Sequence, residues 1–218
     1  IKGFTVQTLA SDPYASAAAS GTWASGGAMS TTRQQGASAQ AAPQTAGQIA
    51  GGGGPGSLTA LGEQYDGSSW SEVGDLQTAR FGQAGTGTQT SALSGGGFTT
   101  TWVAETEEWN GSSWAVGNNM LSARFQMACA GTQTSAVAAG GEGTPASTPR
   151  AFTEEYDGTS WSEENDLNQA RYGIAGGGTQ TAALAIGGQT TGSGTPSALT
   201  EQYDGTSWAE KTDLNTAR

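Results

Sequence analysis

The chain has 218 residues, of which 36 are glycine and only 34% are hydrophobic, and it carries a formal net charge of −11 without any histidine. Because a surface of this charge repels phosphate groups, we expect no nucleic-acid partner. The lack of histidine excludes Ser-His-Asp triads, histidine-bound zinc or copper, and histidine general bases.

Regularly spaced tryptophans and arginines divide the chain into repeats. The octets EQYDGSSW, EEWNGSSW, EEYDGTSW and EQYDGTSW end at Trp70, Trp114, Trp161 and Trp208, at intervals of 44, 47 and 47 residues. An arginine follows each of these tryptophans, and also Trp23, by 10 residues: Arg33, Arg80, Arg124, Arg171 and Arg218. An active site needs its residues only once, so this recurrence predicts a repeated structural unit.

The repeat markers define the predicted organisation in chain order. Residues 1–22 contain no Gly-Gly and no Tyr-Asp-Gly, so we expect a non-repeat segment that links or attaches the protein. The repeats occupy 23–218, with complete units at 34–80, 81–124, 125–171 and 172–218. No apolar run approaches the roughly 18 residues of a transmembrane helix, so we expect no membrane insertion.

The last unit illustrates the strands expected in each repeat. YGIAGGG and TAALAIGG predict two strands of small residues around a tight turn at Thr-Gln, followed by a loop rich in Gly, Pro, Ser and Thr. ALTEQY predicts a third strand, Asp204-Gly205 a hairpin turn, and WAEKTDL a fourth strand. Four strands with local connections predict a blade of a β-propeller, so the expected fold is all-β with about four complete blades and a partial one.

The ordered set of Arg, small-residue strand, Gly-Gly, loop, Tyr-Asp and Trp resembles the kelch repeat over residues 23–218. The resemblance implies a kelch-like propeller with the Tyr and Trp packed between blades. The implied packing pairs are Tyr65/Trp70, Trp109/Trp114, Tyr156/Trp161 and Tyr203/Trp208. The sequences GTQTAALAIGG and YDGTSW are also similar to those of Kelch-like repeat proteins of marine phages. Since an unfinished propeller exposes strand edges, we expect further chain after Arg218 or a partner subunit to cover the open edge.

Groups able to perform chemistry are few in this sequence. Glu107/Glu108 and Glu154/Glu155 are paired carboxylates such as a glycosidase uses, but they recur at one repeat position, which favours solvent-facing strand residues. The repeated arginine is expected to cap carbonyl groups or stack on aromatic rings rather than form an anion-binding ring. We therefore predict no catalytic residue, no metal site, no cofactor and no enzymatic activity.

Two further residue types have a structural interpretation. The aspartates of the Asp-Gly pairs are expected to form turns rather than calcium sites, although carboxylates are the ligands that calcium prefers; they are Asp66, Asp157 and Asp204. Cys129, the single cysteine, lies in the small-residue segment MACAG and is expected to be a small buried hydrophobe.

The loops that follow Gly-Gly differ most between repeats, whereas the framework residues stay constant. Constant frames that carry variable loops are typical of recognition proteins, and Phe98, Trp102 and Arg150 are the candidate contacts because aromatic residues and arginine dominate binding hot spots. The predicted function is a structural and carbohydrate- or protein-binding module on a virion surface or tail appendage such as a tail fibre. Its expected partners are a host surface and other assembly subunits, including copies of itself; the alternative is a polysaccharide-active enzyme.

Overall fold

A computed structural model of the chain describes residues 26–54, 57–145 and 148–218. The described part is entirely β, with twenty short strands and no helix, and so holds no helix that could cross a membrane. The expected attachment segment 1–22 and the repeat residue Trp23 lie outside the described residues.

The strands fall into four successive groups along the chain. The first group is β1 (Ala37–Ser38), β2 (Gln48–Ala50), β3 (Gly53–Gly54), β4 (Ser57–Leu58), β5 (Gly62–Tyr65) and β6 (Trp70–Val73). The second is β7 (Ala84–Thr88), β8 (Ser91–Gly95), β9 (Thr106–Trp109) and β10 (Trp114–Val116). The third is β11 (Ala128–Thr132), β12 (Ser135–Ala139), β13 (Glu142–Gly143), β14 (Thr148–Pro149), β15 (Thr153–Tyr156) and β16 (Trp161–Glu164). The fourth is β17 (Ala175–Thr179), β18 (Ala182–Ile186), β19 (Thr200–Tyr203) and β20 (Trp208–Glu210).

Each group contains one four-stranded antiparallel sheet, which we call blades 1 to 4. Their strand orders are β1-β2-β5-β6, β7-β8-β9-β10, β11-β12-β15-β16 and β17-β18-β19-β20, and β3-β4 and β13-β14 form separate small hairpins. All connections within a sheet are local, as expected for propeller blades. The predicted all-β fold of four-stranded blades is confirmed.

The blades meet through their first strands, which lie side by side in the order β1, β7, β11 and β17. Backbone hydrogen bonds just before these strands join each blade to the previous one: Gly82 N–H donates to the Gln35 carbonyl at 2.8 Å, and Gln126 N–H donates to the Gly82 carbonyl at 2.6 Å. Gly173 N–H continues the series by donating to Gln126 at 2.9 Å. Strands of Ala and Gly permit this arrangement because they allow neighbouring backbones to approach closely.

The aromatic pairs form the hydrophobic cores between blades. Tyr156 and Trp161 of blade 3 have ring centroids 5.0 Å apart and pack in one core with Leu93 and Met120 of blade 2. Trp161 Nε1 donates to Thr106 Oγ1 of blade 2 at 3.0 Å, so the polar end of the indole is also satisfied. The same packing recurs for Trp109/Trp114 against blade 1 and for Tyr203/Trp208 against blade 3.

The glutamine of the Thr-Gln-Thr turns joins adjacent blades. Gln133 Nε2 donates to the carbonyl of Trp109 at 2.6 Å, and Gln180 Nε2 donates to that of Tyr156 at 2.9 Å. In each case the turn of one blade reaches the end of the third strand of the blade before it. Gln89 repeats this contact by donating to the carbonyl of Tyr65 at 3.0 Å.

The two ends of the blade series are covered less than the cores between blades. Tyr65 and Trp70 of blade 1 are only half-buried, unlike the aromatic pairs of blades 2 to 4. On blade 4, Leu184 is 37% exposed, whereas Leu93 and Val137, at the same repeat position, are both 2% exposed. Among the described residues, no sheet packs on the face of blade 1 that points away from blade 2 or on the face of blade 4 that points away from blade 3. Trp70 is therefore more exposed than the other described repeat tryptophans, although the repeat pattern predicted that it would be packed between blades.

Candidate ligand-binding surface

The variable loops lie at one edge of the blades, which we call the loop face. Strand β8 ends at Gly95, and Gly96 and Gly97 then turn the chain with φ values of 65° and 111°. Such positive φ values are readily adopted only by glycine, so the Gly-Gly pair fixes where each loop begins. Because the strands are antiparallel, the Asp-Gly turns lie at the opposite edge.

Four aromatic rings form a cluster on the loop face, which we call the aromatic cluster. Phe98 contacts Phe81 and Trp102 edge to face, with ring centroids 5.5 Å apart in both pairs. Phe125, the residue after the repeat arginine of blade 3, lies 6.0 Å from Phe81 and 6.4 Å from Trp102. All four side chains are half-buried, so they pack against one another and still present ring surface to solvent.

Gly82 makes room for this cluster. A Cβ at Gly82 would lie 2.6 Å from Cδ2 of Phe125, and the residue has a φ of 66°. The glycine therefore lets the Phe125 ring cover the backbone between blades 2 and 3. The cluster is thus held by the backbone of the blades as well as by ring contacts.

A cavity of about 280 Å³ opens beside the aromatic cluster. Phe81 and Phe98 form one wall, and the hairpin β3–β4 of blade 1 contributes Ser57 and Leu58 to the other. Leu58 is itself 37% exposed. A mostly apolar concavity with a few polar groups at its rim is the usual character of a ligand site.

A second cavity, of about 230 Å³, lies between the segments that lead into the first strands of the four blades. Its lining includes Gln35, Gln83 and Gln126, so it offers amide groups and no formal charge. Gln35 and Gln126 adopt φ values of 55° and 58° at the repeat position where blades 2 and 4 have Gly82 and Gly173. These glutamines therefore occupy a conformation that ordinarily favours glycine.

Arg150 lies outside the aromatic cluster, in the loop of blade 3. Its guanidinium stacks over the ring of Phe152 at 5.7 Å and lines a cavity of about 270 Å³ together with Ser122 and Thr144. Phe98 and Trp102 are therefore brought together by the fold, whereas the third predicted contact residue belongs to a separate concavity.

Four repeat arginines form buried ion pairs, each between the segment that precedes the first strand of a blade and the third strand of the same blade. Arg124 donates to Oε1 of Glu154 at 2.7 Å, and Arg171 donates to Glu201 at 2.7 Å. Arg80 lies 3.1 Å from Glu107, and Arg33 contacts Glu63. Arg218 is exposed. Burial lowers the pKa of Arg80 and Arg124, and the adjacent carboxylates oppose that shift.

The expected capping of carbonyl groups is confirmed for Arg33, Arg124 and Arg171, but the expected environment of the glutamates was wrong. Nη1 of Arg124 donates to the carbonyl groups of Gly140 and Phe152 at 2.6 and 2.7 Å. Glu107 and Glu154, predicted to face solvent, are each only 1% exposed because they balance the buried guanidinium groups. They are therefore occupied in fixing the segment that leads into their own blade.

The Asp-Gly aspartates form turns, as predicted. Oδ1 of Asp66 accepts hydrogen bonds from the N–H groups of Ser69 and Ser68, both at 2.8 Å. These bonds, of which the one from Ser69 contributes most, lower the pKa of Asp66 to about 2. Asn110 accepts equivalent bonds in blade 2. Residues 26–54, 57–145 and 148–218 contain no group of three or more Cys, Asp and Glu side chains placed to bind a metal ion.

Cys129 is buried in the core between blades 2 and 3, as expected for a small hydrophobe. Burial raises the pKa of its thiol to about 12, which keeps the thiol protonated and unreactive near neutral pH.

Sequence reasoning missed Phe81 and Phe125 as members of the surface. A signal was present, since both directly follow a repeat arginine, where blades 1 and 4 have Gln34 and Tyr172. Phe81 also pairs through its backbone with Phe98, two residues after the start of the Gly-Gly pair. The position after the arginine therefore belongs to the loop face and varies as the loops do.

No protein-family model matches the chain, and no curated protein matches it either. The class that the fold defines is that of all-β proteins built from four-stranded propeller blades.

Proposed function

We propose that the chain is a structural and binding module that recognises a glycan or protein on a host surface through its loop face. In this proposal it is displayed on the outside of a virion, in a tail appendage or a comparable extracellular assembly. It acts by presenting a rigid surface and has no catalytic activity.

The aromatic cluster is the observation that carries the proposal. Phe81, Phe98, Trp102 and Phe125 come from variable positions and are only half-buried. Two of them, Phe81 and Phe98, line the 280 Å³ cavity. Rings already fixed by their neighbours lose little conformational freedom when a ligand covers them. Aromatic side chains in such concavities supply much of the contact energy in binding sites.

The ion pairs and hydrogen bonds of the glutamate side chains favour a binding function over the alternative of a polysaccharide-active enzyme. Glu107 and Glu154 are buried in ion pairs with arginine, so they are not free to act as general acid or nucleophile. Glu108 also accepts a hydrogen bond, from the hydroxyl group of Tyr156. The proposal therefore predicts that a bound glycan is recovered uncleaved.

The outer faces of the blade series support the proposed assembly. Leu184 on blade 4 and Trp70 on blade 1 occupy positions that are buried between the other blades. Covering these faces with further β structure would extend the packing seen at the three interfaces between blades.

A glycan array tests the proposal, with the wild type compared with Phe98→Ala and with Val116→Ala as a matched control. Val116 is 70% exposed, lies on β10 at the outer side of blade 2, and belongs neither to the aromatic cluster nor to the lining of the 280 Å³ cavity. We expect Phe98→Ala to lose the wild-type signals while keeping a cooperative unfolding transition, and Val116→Ala to keep them. Equal binding by all three proteins, or cleavage of the bound glycan, would contradict the proposal.

A further inference from the structure

Arg150 is the arginine of the described residues that lines a surface cavity without pairing to a carboxylate. Arg33, Arg80, Arg124 and Arg171 all form ion pairs with glutamate, whereas no carboxylate of the described part lies within ion-pair distance of Arg150. In a chain of net charge −11, an unpaired cation in a concavity is a local exception. We call this concavity, lined by Ser122, Arg124, Thr144, Arg150 and Phe152 among others, the blade 3 cavity.

Both the backbone and the side chain of Arg150 are held by contacts within blade 3 and with its neighbour. Arg150 N–H donates to the Gly141 carbonyl at 2.8 Å, and its own carbonyl accepts from Arg171 N–H at 3.1 Å. Nη2 donates to the carbonyl of Thr144, and the guanidinium carbon stacks over Phe152. This arrangement limits the side-chain entropy that would be lost when a ligand binds.

Gly143 allows this placement. A Cβ at Gly143 would lie 3.0 Å from Nε and 3.4 Å from Cγ of Arg150, so the side chain lies close to the glycine backbone. The other arginine of the cavity, Arg124, is buried and already binds Glu154. An anion that enters the blade 3 cavity must therefore be bound by Arg150.

We propose that the blade 3 cavity binds the carboxylate of an acidic sugar, with Arg150 as the contact residue. A planar guanidinium matches a carboxylate in shape and charge, and the ring of Phe152 and the polar residues Ser122 and Thr144 complete the lining. At about 270 Å³ the cavity suits a single sugar unit, since it is smaller than the pockets of about 300–1,000 Å³ that hold drug-sized ligands. This inference rests on the proposed function, because it names the class of glycan that the loop face recognises.

Calorimetric titration with trigalacturonic acid and with its methyl ester tests the proposal. The ester keeps the shape of the acid but loses its charges, so we expect the acid alone to bind saturably and to bind more weakly as salt is added. Arg150→Gln should weaken binding of the acid by about tenfold or more, and Arg150→Lys by less, because lysine keeps the charge without the planar fork. Lys211→Gln, which removes an exposed positive charge on blade 4, is the matched control and should bind like the wild type.

Several results would overturn the proposal: no saturable binding of the acid by the wild type, equal binding of the ester, or unchanged affinity of Arg150→Gln. Unfolding curves of each variant establish that it is folded before titration. The outcome is separable from that of the proposed function. Loss of neutral-glycan binding in Phe98→Ala would support the aromatic cluster even if the acid never binds, and acid binding that needs Arg150 but not Phe98 would support only the blade 3 cavity.

Discussion

Replacing Glu154 with alanine should destabilise the protein strongly, because it leaves a buried arginine without its counter-charge. Oε1 of Glu154 accepts from Nη2 of Arg124, and Oε2 accepts from Leu121 N–H, both at 2.7 Å. Two hydrogen bonds to a charged group, at about 1.5–3 kcal/mol each, suggest a loss of about 3–6 kcal/mol. Removal of one partner of a buried ion pair typically costs about 3–5 kcal/mol, so the two figures agree.

The control is Glu163→Ala, on the neighbouring strand. Glu163 pairs directly with Glu154 in the β15–β16 register, but its side chain is exposed. Its loss should change the free energy of unfolding by less than about 0.5 kcal/mol. Urea unfolding followed by tryptophan fluorescence measures both variants.

The double variant Arg124→Leu/Glu154→Leu separates the ion pair from general loss of packing. Removing both charges should cost less than the sum of the two single leucine substitutions, since neither partner is left buried alone. Equal stability of Glu154→Ala and Glu163→Ala, or strict additivity in the double variant, would refute the reasoning.

Three further changes test the packing and the turns. Trp161→Ala should lower the free energy of unfolding by about 3–5 kcal/mol, measured by urea unfolding, because it removes a core ring between blades 2 and 3. Gln48→Leu should raise the free energy of unfolding by about 1–3 kcal/mol in the same assay, because Gln48 is buried and neither its amide oxygen nor its amide nitrogen has a hydrogen-bond partner. The same repeat position in blade 2 is occupied by Leu93. Asp66→Asn should make the thermal unfolding midpoint fall less steeply as the pH is lowered from 3.8 to about 2. Because the pKa of Asp66 is lowered in the folded protein, its carboxylate stabilises the fold fully above this range and loses that stabilisation as it is protonated within it.

Each of these predictions has an outcome that contradicts it. A Trp161→Ala variant as stable as the wild type would argue against packing between blades. Destabilisation by Gln48→Leu would mean that the amide is hydrogen-bonded in solution. Identical pH profiles for wild type and Asp66→Asn would mean that the turn gains nothing from the ionised carboxylate, and Asn110 in blade 2 shows that asparagine fits this turn.

The blades could be predicted from the sequence because their markers have local physical causes. Gly96 and Gly97 are needed for positive φ, Asp66 closes a turn with its own side chain, and Trp161 recurs where every blade needs a core ring. Such requirements repeat with the blade and so appear as a period in the chain.

The environment of the glutamates could not be predicted in the same way. Glu154 and Glu155 are neighbours on a four-residue strand, and alternation alone does not tell which face meets the next blade and which meets solvent. The partner of Glu154 is 30 residues away, at Arg124, so the ion pair exists only once the intervening chain has folded into blade 3.

The aromatic cluster was likewise only partly foreseeable. Phe98 and Trp102 stand out as aromatic residues in a variable loop, but Phe81 and Phe125 come from the starts of two different blades. Their contacts depend on the close approach of blades at Gly82, which is a tertiary feature. The repeat position after the arginine is the signal that links them.

The most direct test of the central claim is to map by NMR which amides respond when a glycan identified on the array is added. If the aromatic cluster is the ligand site, the largest shifts will fall at residues 57–58, 81–83, 98–102 and 125–127, and the Asp-Gly turns at the opposite edge will not respond. Shifts concentrated at residues 66–69, 110–113 or 157–160, with the aromatic cluster unchanged, would contradict the assignment of the loop face as the recognition surface.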